Sequence, residues 1–241
     1  MKKIFFTVGL FLSLMVRAEG DGKSNFSVGA DLVSSYVWRG SYLAGASIQP
    51  AMGLHSGGFS LGGWGSVDFF GGFKEVNLKT GYCFGSLTIG LSDYWRVAEG
   101  TYHYFDFSET TDHLLEVNLL FSPQNFPLKF SWNTIIGGND KYFNDNFEEK
   151  RAYSTYIEVI DAFSVKNVKM EIAVGASPWN SSVLYNPLWD GGSTNGFAIV
   201  NMSLAATKNV RISDQYSLGI FGKLIFNPAK EDAFFVFGMK F

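Results

Sequence analysis

The stretch Ala233-Phe234-Phe235-Val236-Phe237-Gly238-Met239-Lys240-Phe241 limits what this chain can fold into more than any other. Read with a period of two, Ala233, Phe235, Phe237, Met239 and Phe241 share one face, while Phe234, Val236, Gly238 and Lys240 share the other. A strand with one wholly apolar face, running to the final residue, has no chain after it to cover that face. The closing strand of a barrel meets the demand by turning the face to lipid. The competing reading is an ordinary strand of a soluble sandwich, and the rest of the chain decides between the two.

The opposite end agrees. Lys2 and Lys3 precede an apolar run from Ile4 to Val16, followed by Val16-Arg17-Ala18. That order is the layout of a secretory signal peptide, so residues 1–18 are expected to be removed and 19–241 to form the mature domain. The run is too short for a permanent transmembrane helix, and no later segment is long and apolar enough to be one. An exported chain that ends on an aromatic after alternating apolar residues also resembles the C-terminal signature of bacterial outer-membrane β-barrels. The resemblance implies that the barrel-assembly machinery reads the last strand through Phe241.

Aromatic residues make up 17% of the chain at a mean hydropathy of +0.07, as alternating lipid-facing and water-facing positions produce. The single Cys83 rules out an internal disulfide. A net charge of −3 argues against nucleic acid, whose binders carry a basic footprint. No shift in composition marks a boundary, so one domain is expected.

Alternation recurs along the chain. Phe26, Val28, Ala30, Leu32, Tyr36 and Trp38 oppose Ser27, Gly29, Asp31, Ser35 and Arg39, which predicts one long first strand. Further strands follow near 47–55, 59–69, 75–84, 87–96, 111–121, 128–136, 150–161, 168–177, 196–211, 215–227 and 233–241. The fold expected is an all-β, up-and-down antiparallel transmembrane barrel of about twelve strands, with ten or fourteen as neighbouring solutions. Links after odd strands include the long segments 98–110, 137–149 and 178–195; links after even strands, such as 56–58 and 85–86, are tight. Outer-membrane barrels have this parity, and a sandwich does not. Tyr36, Trp38, Phe69, Trp95 and Tyr153 fall near one set of strand ends, and Tyr82, Phe84, Phe121, Phe130, Tyr216 and Phe241 near the other. Two aromatic girdles are expected from that placement.

The segment Asp31-Leu32-Val33-Ser34-Ser35-Tyr36-Val37-Trp38-Arg39-Gly40, with Ser47-Ile48-Gln49-Pro50 and Gly63-Trp64-Gly65-Ser66, resembles the TorF-type putative porins, a family of exported bacterial proteins of otherwise unknown function. The matched segments lie in the first third of the mature chain. The resemblance implies an outer-membrane barrel and a channel, and it carries no catalytic residues.

Alternation places Asp31, Arg39, Trp64, Asp68, Lys79, Tyr94, Arg96, Glu116, Lys129, Glu158, Lys169, Glu171 and Lys223 inside the wall. Their charges are mixed, whereas a selective filter wants a ring of one sign. The expectation is a narrow, weakly selective outer-membrane channel for small solutes, in contact with lipid and lipopolysaccharide. The alternative is a structural or binding barrel filled by its own side chains. No cofactor or metal is expected: His55 and His103 lack ligand spacing, and the acidic segment 139–149 lacks the order of a calcium loop. Catalysis is not expected either. His113 and Asp93 face outward on neighbouring strands, but the nearest hydroxyl is Thr134 and no serine accompanies them. Asp93 interrupts an apolar face, which a β-bulge would explain. The aromatic segment 178–195 is expected to fold back over a mouth or to meet a partner.

Overall fold

A computed structural model describes residues 25–97, 102–108, 111–144, 146–179, 184–185 and 196–241. The expected signal peptide lies outside these, as does most of 178–195. In chain order the strands are β1 (Asn25–Val33), β2 (Tyr36–Trp38), β3 (Ser41–Ala44), β4 (Ser47–Ser56), β5 (Phe59–Asp68), β6 (Lys74–Phe84), β7 (Leu87–Arg96) and β8 (His113–Phe121). Then come β9 (Leu128–Gly138), β10 (Lys141–Phe143), β11 (Glu149–Arg151), β12 (Thr155–Val165), β13 (Val168–Ser177), β14 (Ala198–Arg211), β15 (Ser217–Asn227) and β16 (Asp232–Lys240). Twelve of them close an antiparallel barrel in the order β1-β16-β15-β14-β13-β12-β9-β8-β7-β6-β5-β4. The remaining four form two small hairpins, β2-β3 and β10-β11.

The wall is built inside out. On its outer face Leu61, Leu78, Ile89, Leu119, Phe130, Ile172, Leu224, Phe235 and Phe237 are exposed. On its inner face Gln49, Ser66, Glu75, Asn77, Lys79, Ser92, Glu116, Glu171 and Asn201 are buried. Period-two alternation forces this split, because successive side chains of a strand point to opposite faces. Tyr82 packs on Phe84 at 4.6 Å and Phe126 stacks on Phe130 at 6.3 Å near the ends joined by tight turns, called here the turn end. Trp179, just past β13 at the other, loop end, meets the outward Trp132 at 5.6 Å.

Two expectations need correction. The first strand does not run to Arg39. It leaves the wall after Val33, and residues 36–44 return as the β2-β3 hairpin inside the barrel, so Tyr36 and Trp38 are buried in a core rather than set in an outer girdle. The outer alternation does not slip at Asp93 either. Strand β7 pairs in constant register with β6 and β8, and the shift nearby lies between Leu115 and Glu116 in the β8-β9 pair. Asp93 therefore faces outward.

The seam between first and last strands is short. Strand β1 pairs with β4 over nine positions, from Asn25 opposite His55 to Val33 opposite Ser47. With β16 it shares only Asp31–Lys240, Leu32–Met239 and Val33–Gly238. Phe241 N donates to Ala30 O at 2.9 Å below, and Ser34 N to Phe237 O at 2.9 Å above. Among the described residues no strand pairs with the β1 side of β16 above Ser34.

Candidate functional site: a lumen closed by an inturned hairpin

The hairpin is sharp because Arg39 and Gly40 both take positive φ, 50° and 80°. A two-residue turn of this mirror-image type suits glycine and strains arginine. A side chain on Gly40 would collide with the Val200 backbone, so the turn sits hard against β14. Asn227 Nδ2 fixes it from β15 by donating to Gly40 O at 3.1 Å.

The two flanks of the hairpin carry the packing. Tyr36 lies 5.4 Å from Trp64 and 5.8 Å from Phe73, and Trp38 lies 5.6 Å from Tyr94 and stacks on Tyr185 at 6.3 Å. With Ala44, Leu114 and Ile135 these rings fill the loop-end half of the lumen.

Arg39 provides the lock. Its Nη1 donates to Glu116 Oε1 at 2.6 Å and to Tyr185 Oη at 2.8 Å, while Nη2 donates to Glu116 Oε2 at 2.9 Å. The guanidinium sits 4.6 Å from both the Trp38 and the Tyr156 ring centroids. Glu116 also accepts from Tyr94 Oη at 2.8 Å and Asn118 Nδ2 at 2.6 Å, so its charge is shared among donors on three elements. A two-pronged arginine–carboxylate contact of this kind fixes orientation as well as charge. A second pair braces the rim: Arg96 Nε donates to Glu75 Oε2 at 3.3 Å, and Glu75 Oε1 accepts from Tyr36 Oη at 3.2 Å and Asn77 Nδ2 at 2.7 Å.

Below the hairpin lies a chamber of ≈120 Å³ whose lining mixes Lys79, Asn118, Glu158, Glu171, Asn201 and Lys223 with apolar side chains such as Ile160 and Ile225. Glu158 Oε1 accepts from Tyr156 Oη at 2.5 Å and Asn201 Nδ2 at 3.0 Å. Glu171 Oε2, Ser203 Oγ and Thr207 Oγ1 are buried without a hydrogen-bond partner among the described residues. Signs are mixed here too.

The expected lumen residues divide by height and by role. Trp64, Tyr94, Arg96 and Glu116 form the seat of the hairpin. Lys79, Glu158, Glu171 and Lys223 line the chamber. Lys129 and Lys169 lie half-buried toward the turn end, and Asp31 there meets Lys240 at 3.5 Å. Asp68 belongs to the loop-end rim, where it accepts from Phe70 N at 2.9 Å and shapes a turn. Arg39 is in the lumen as expected, but it hangs from the inturned hairpin rather than from the wall. Asn118, whose inward phase marks it for the lumen, lies there; Glu75, Asn133 and Tyr156, which share the inward phase of named residues, and Asn201 were not singled out. Tyr185 had no strand phase to read, but it belongs to the aromatic segment 178–195 expected to fold back over a mouth, and its ring lies buried against Trp38 and Arg39.

On the outer face, His113 Nδ1 meets Asp93 Oδ1 at 2.7 Å, so the neighbouring pair expected from register is formed. The other ring nitrogen meets the Tyr104 carbonyl at 2.7 Å, and Phe107 stacks on the imidazole at 4.3 Å. Tyr104 Oη donates to Asp93 Oδ2 at 2.8 Å; partial burial and that carboxylate raise the phenol above its usual range, so it stays a donor. Thr134 Oγ1 is engaged by Thr155 at 2.9 Å and by Trp132 Nε1 at 3.0 Å. The arrangement pins segment 102–108 down over β7 and β8. Among the described residues it brings no hydroxyl into hydrogen-bond contact with the imidazole.

No family model and no curated protein matches this chain. One solved structure, described as "Unveiling the Mechanism Behind the in-meso Crystallization of Membrane Proteins", is similar at 10% identity and a TM-score of 0.49, covering 91% of this chain and 83% of that one. The assignment to closed β-barrels rests on the strand pairing itself.

Proposed function

We propose that the protein is an integral barrel of a Gram-negative outer membrane whose lumen is a narrow, weakly selective path for small solutes, held shut by its own β2-β3 hairpin in this conformation. One observation carries the reading. A ring of exposed apolar side chains surrounds an interior of buried Lys, Glu, Asn and Ser, the reverse of a water-soluble protein. In water that outer face would forfeit on the order of 1.5–3 kcal/mol for each large side chain left uncovered. Lipid removes the penalty, and closure satisfies the strand edges the bilayer core would otherwise meet, except along the β1 side of β16 above Ser34.

The mixed charges lining the chamber favour a wet path over a dry plug. The resemblance to TorF-type putative porins points the same way. The Arg39–Glu116 lock favours a second reading, a permanently closed barrel that presents its loops to partners. Planar-bilayer recording separates them. The wild type should be mostly closed, and a variant with residues 35–45 replaced by a short glycine turn should conduct steadily. A deletion variant that assembles as a heat-modifiable barrel and passes no current would refute the path and leave the structural reading.

A further inference from the structure

The hairpin that enters the lumen and the strand edge left open beside it are complementary. We propose that the hairpin is a two-position plug: it hinges at Ser35 and Gly45 out of the lumen and into the wall, where it extends β1 along the open edge of β16. The inference rests on the reading of the lumen as a solute path.

The hairpin is already a bent continuation of the wall. Pairing between β1 and β4 ends with Val33 opposite Ser47, and β2-β3 resumes with Tyr36 opposite Ala44, in the same register. The register shifts only beyond Tyr36. Ala46 O still accepts from Phe69 N at 2.9 Å, so on that limb the bend falls at Gly45. On the other limb Ser34 keeps its place in the ladder, and the bend falls at Ser35.

The vacated edge has the matching polarity. Phe237 N donates to the Ser34 side-chain hydroxyl at 3.1 Å, in the place where a continuing strand would offer its main-chain carbonyl. By alternation, the main-chain groups of Phe235 and Ala233 turn to the same side, beyond the end of the ladder. An open edge of this kind is a template for one more strand.

Continuing the β1-β16 register upward sets Tyr36 opposite Phe235, Val37 opposite Phe234, Trp38 opposite Ala233 and Arg39 opposite Asp232. Tyr36 and Trp38 then join the outward row of Phe26, Val28, Ala30 and Leu32. Val37 stays inward beside Phe234, with which it already shares a cluster. Arg39 exchanges Glu116 for Asp232. The alternation of residues 26–39, with Ser34 in the apolar row and Val33 and Val37 on the inward face, fits both positions: the aromatic face is covered by the lumen cluster in one and by lipid in the other. The Arg39–Glu116–Tyr185 contact is what singles out the closed one.

The test uses the mature chain refolded in lipid, with Cys83→Ser as background. Residues 38 and 233 would form a hydrogen-bonded pair in the wall position, about 5.5 Å apart at Cα and within disulfide reach. In the plugged position Trp38 instead packs on Tyr94 and Tyr185. The expected result is that Trp38→Cys with Ala233→Cys cross-links on oxidation in the folded barrel, locks the conductance open, and closes again on reduction. Glu116→Gln, which weakens the lock, should raise the open probability about a hundredfold or more. A folded barrel that never cross-links, or one that cross-links with no change in conductance, overturns the switch. If that happens while the 35–45 deletion conducts, the solute path stands and only the switch falls.

Discussion

Arg39→Met offers the sharpest energetic test. The charges of Arg39 and Glu116 meet at 2.6 and 2.9 Å, and Glu116 is fully buried. At an effective dielectric of about 20, unit charges about 4 Å apart attract by about 4 kcal/mol. Removing the guanidinium leaves Glu116 with the donors Tyr94 and Asn118 but no counter-ion, so the expected loss is about 3–5 kcal/mol. Glu116→Gln alone strands Arg39 and should cost a similar amount. The double variant Arg39→Met with Glu116→Gln removes both charges and should recover much of the loss, giving a coupling of about 2 kcal/mol or more. Urea unfolding of the protein refolded in lipid vesicles, followed by the gel shift between folded and heated forms, reads all three. If the single variants cost less than about 1 kcal/mol each, the pair is an exposed surface contact and the hairpin is not locked inside the barrel.

Other substitutions probe the wall and the seat of the hairpin. Leu119→Lys should cost up to about 2–4 kcal/mol in the same unfolding assay, because its outward side chain would meet lipid in the proposed membrane barrel; full stability would mean that β8 is wrongly phased. Gly175→Ala should loosen the lock, since a Cβ there would overlap the Tyr156 hydroxyl and push its ring away from Arg39; an open probability equal to wild type would count against it. Phe241→Lys, or loss of the last few residues, should reduce assembly sharply, because the β1-β16 seam holds only three register pairs and a bond from Phe241 N to Ala30 O. Unchanged heat-modifiable mobility from intact cells would argue that closure does not depend on the terminus.

The wall was legible because a strand with one apolar and one polar face writes its register into every second residue. All twelve barrel strands appear near their expected positions, and the parity of short and long links follows from the up-and-down order. The hairpin was not legible for the same reason. Tyr36 and Trp38 keep the apolar phase of the strand before them, and alternation alone cannot say whether such a face meets lipid or an aromatic cluster inside. The local clue was Arg39-Gly40 between two short aromatic runs, a hairpin turn written within an apparent strand. Asn118 illustrates a subtler limit. Its inward phase suggests that a charge would be tolerated there, yet its amide donates to Glu116 at 2.6 Å and to Asn133 at 2.9 Å, so a carboxylate would repel the very group it now serves.

Tryptophan quenching by lipids brominated on their acyl chains tests the central claim most directly. Trp132 lies outward on β9, whereas Trp38 lies inside on the hairpin with only 6% of its surface exposed. In refolded variants that each keep a single tryptophan, Trp132 should be strongly quenched and Trp38 nearly unaffected. Quenching of Trp38 as strong as that of Trp132 would put residues 36–38 in the wall and contradict a lumen closed by the inturned hairpin.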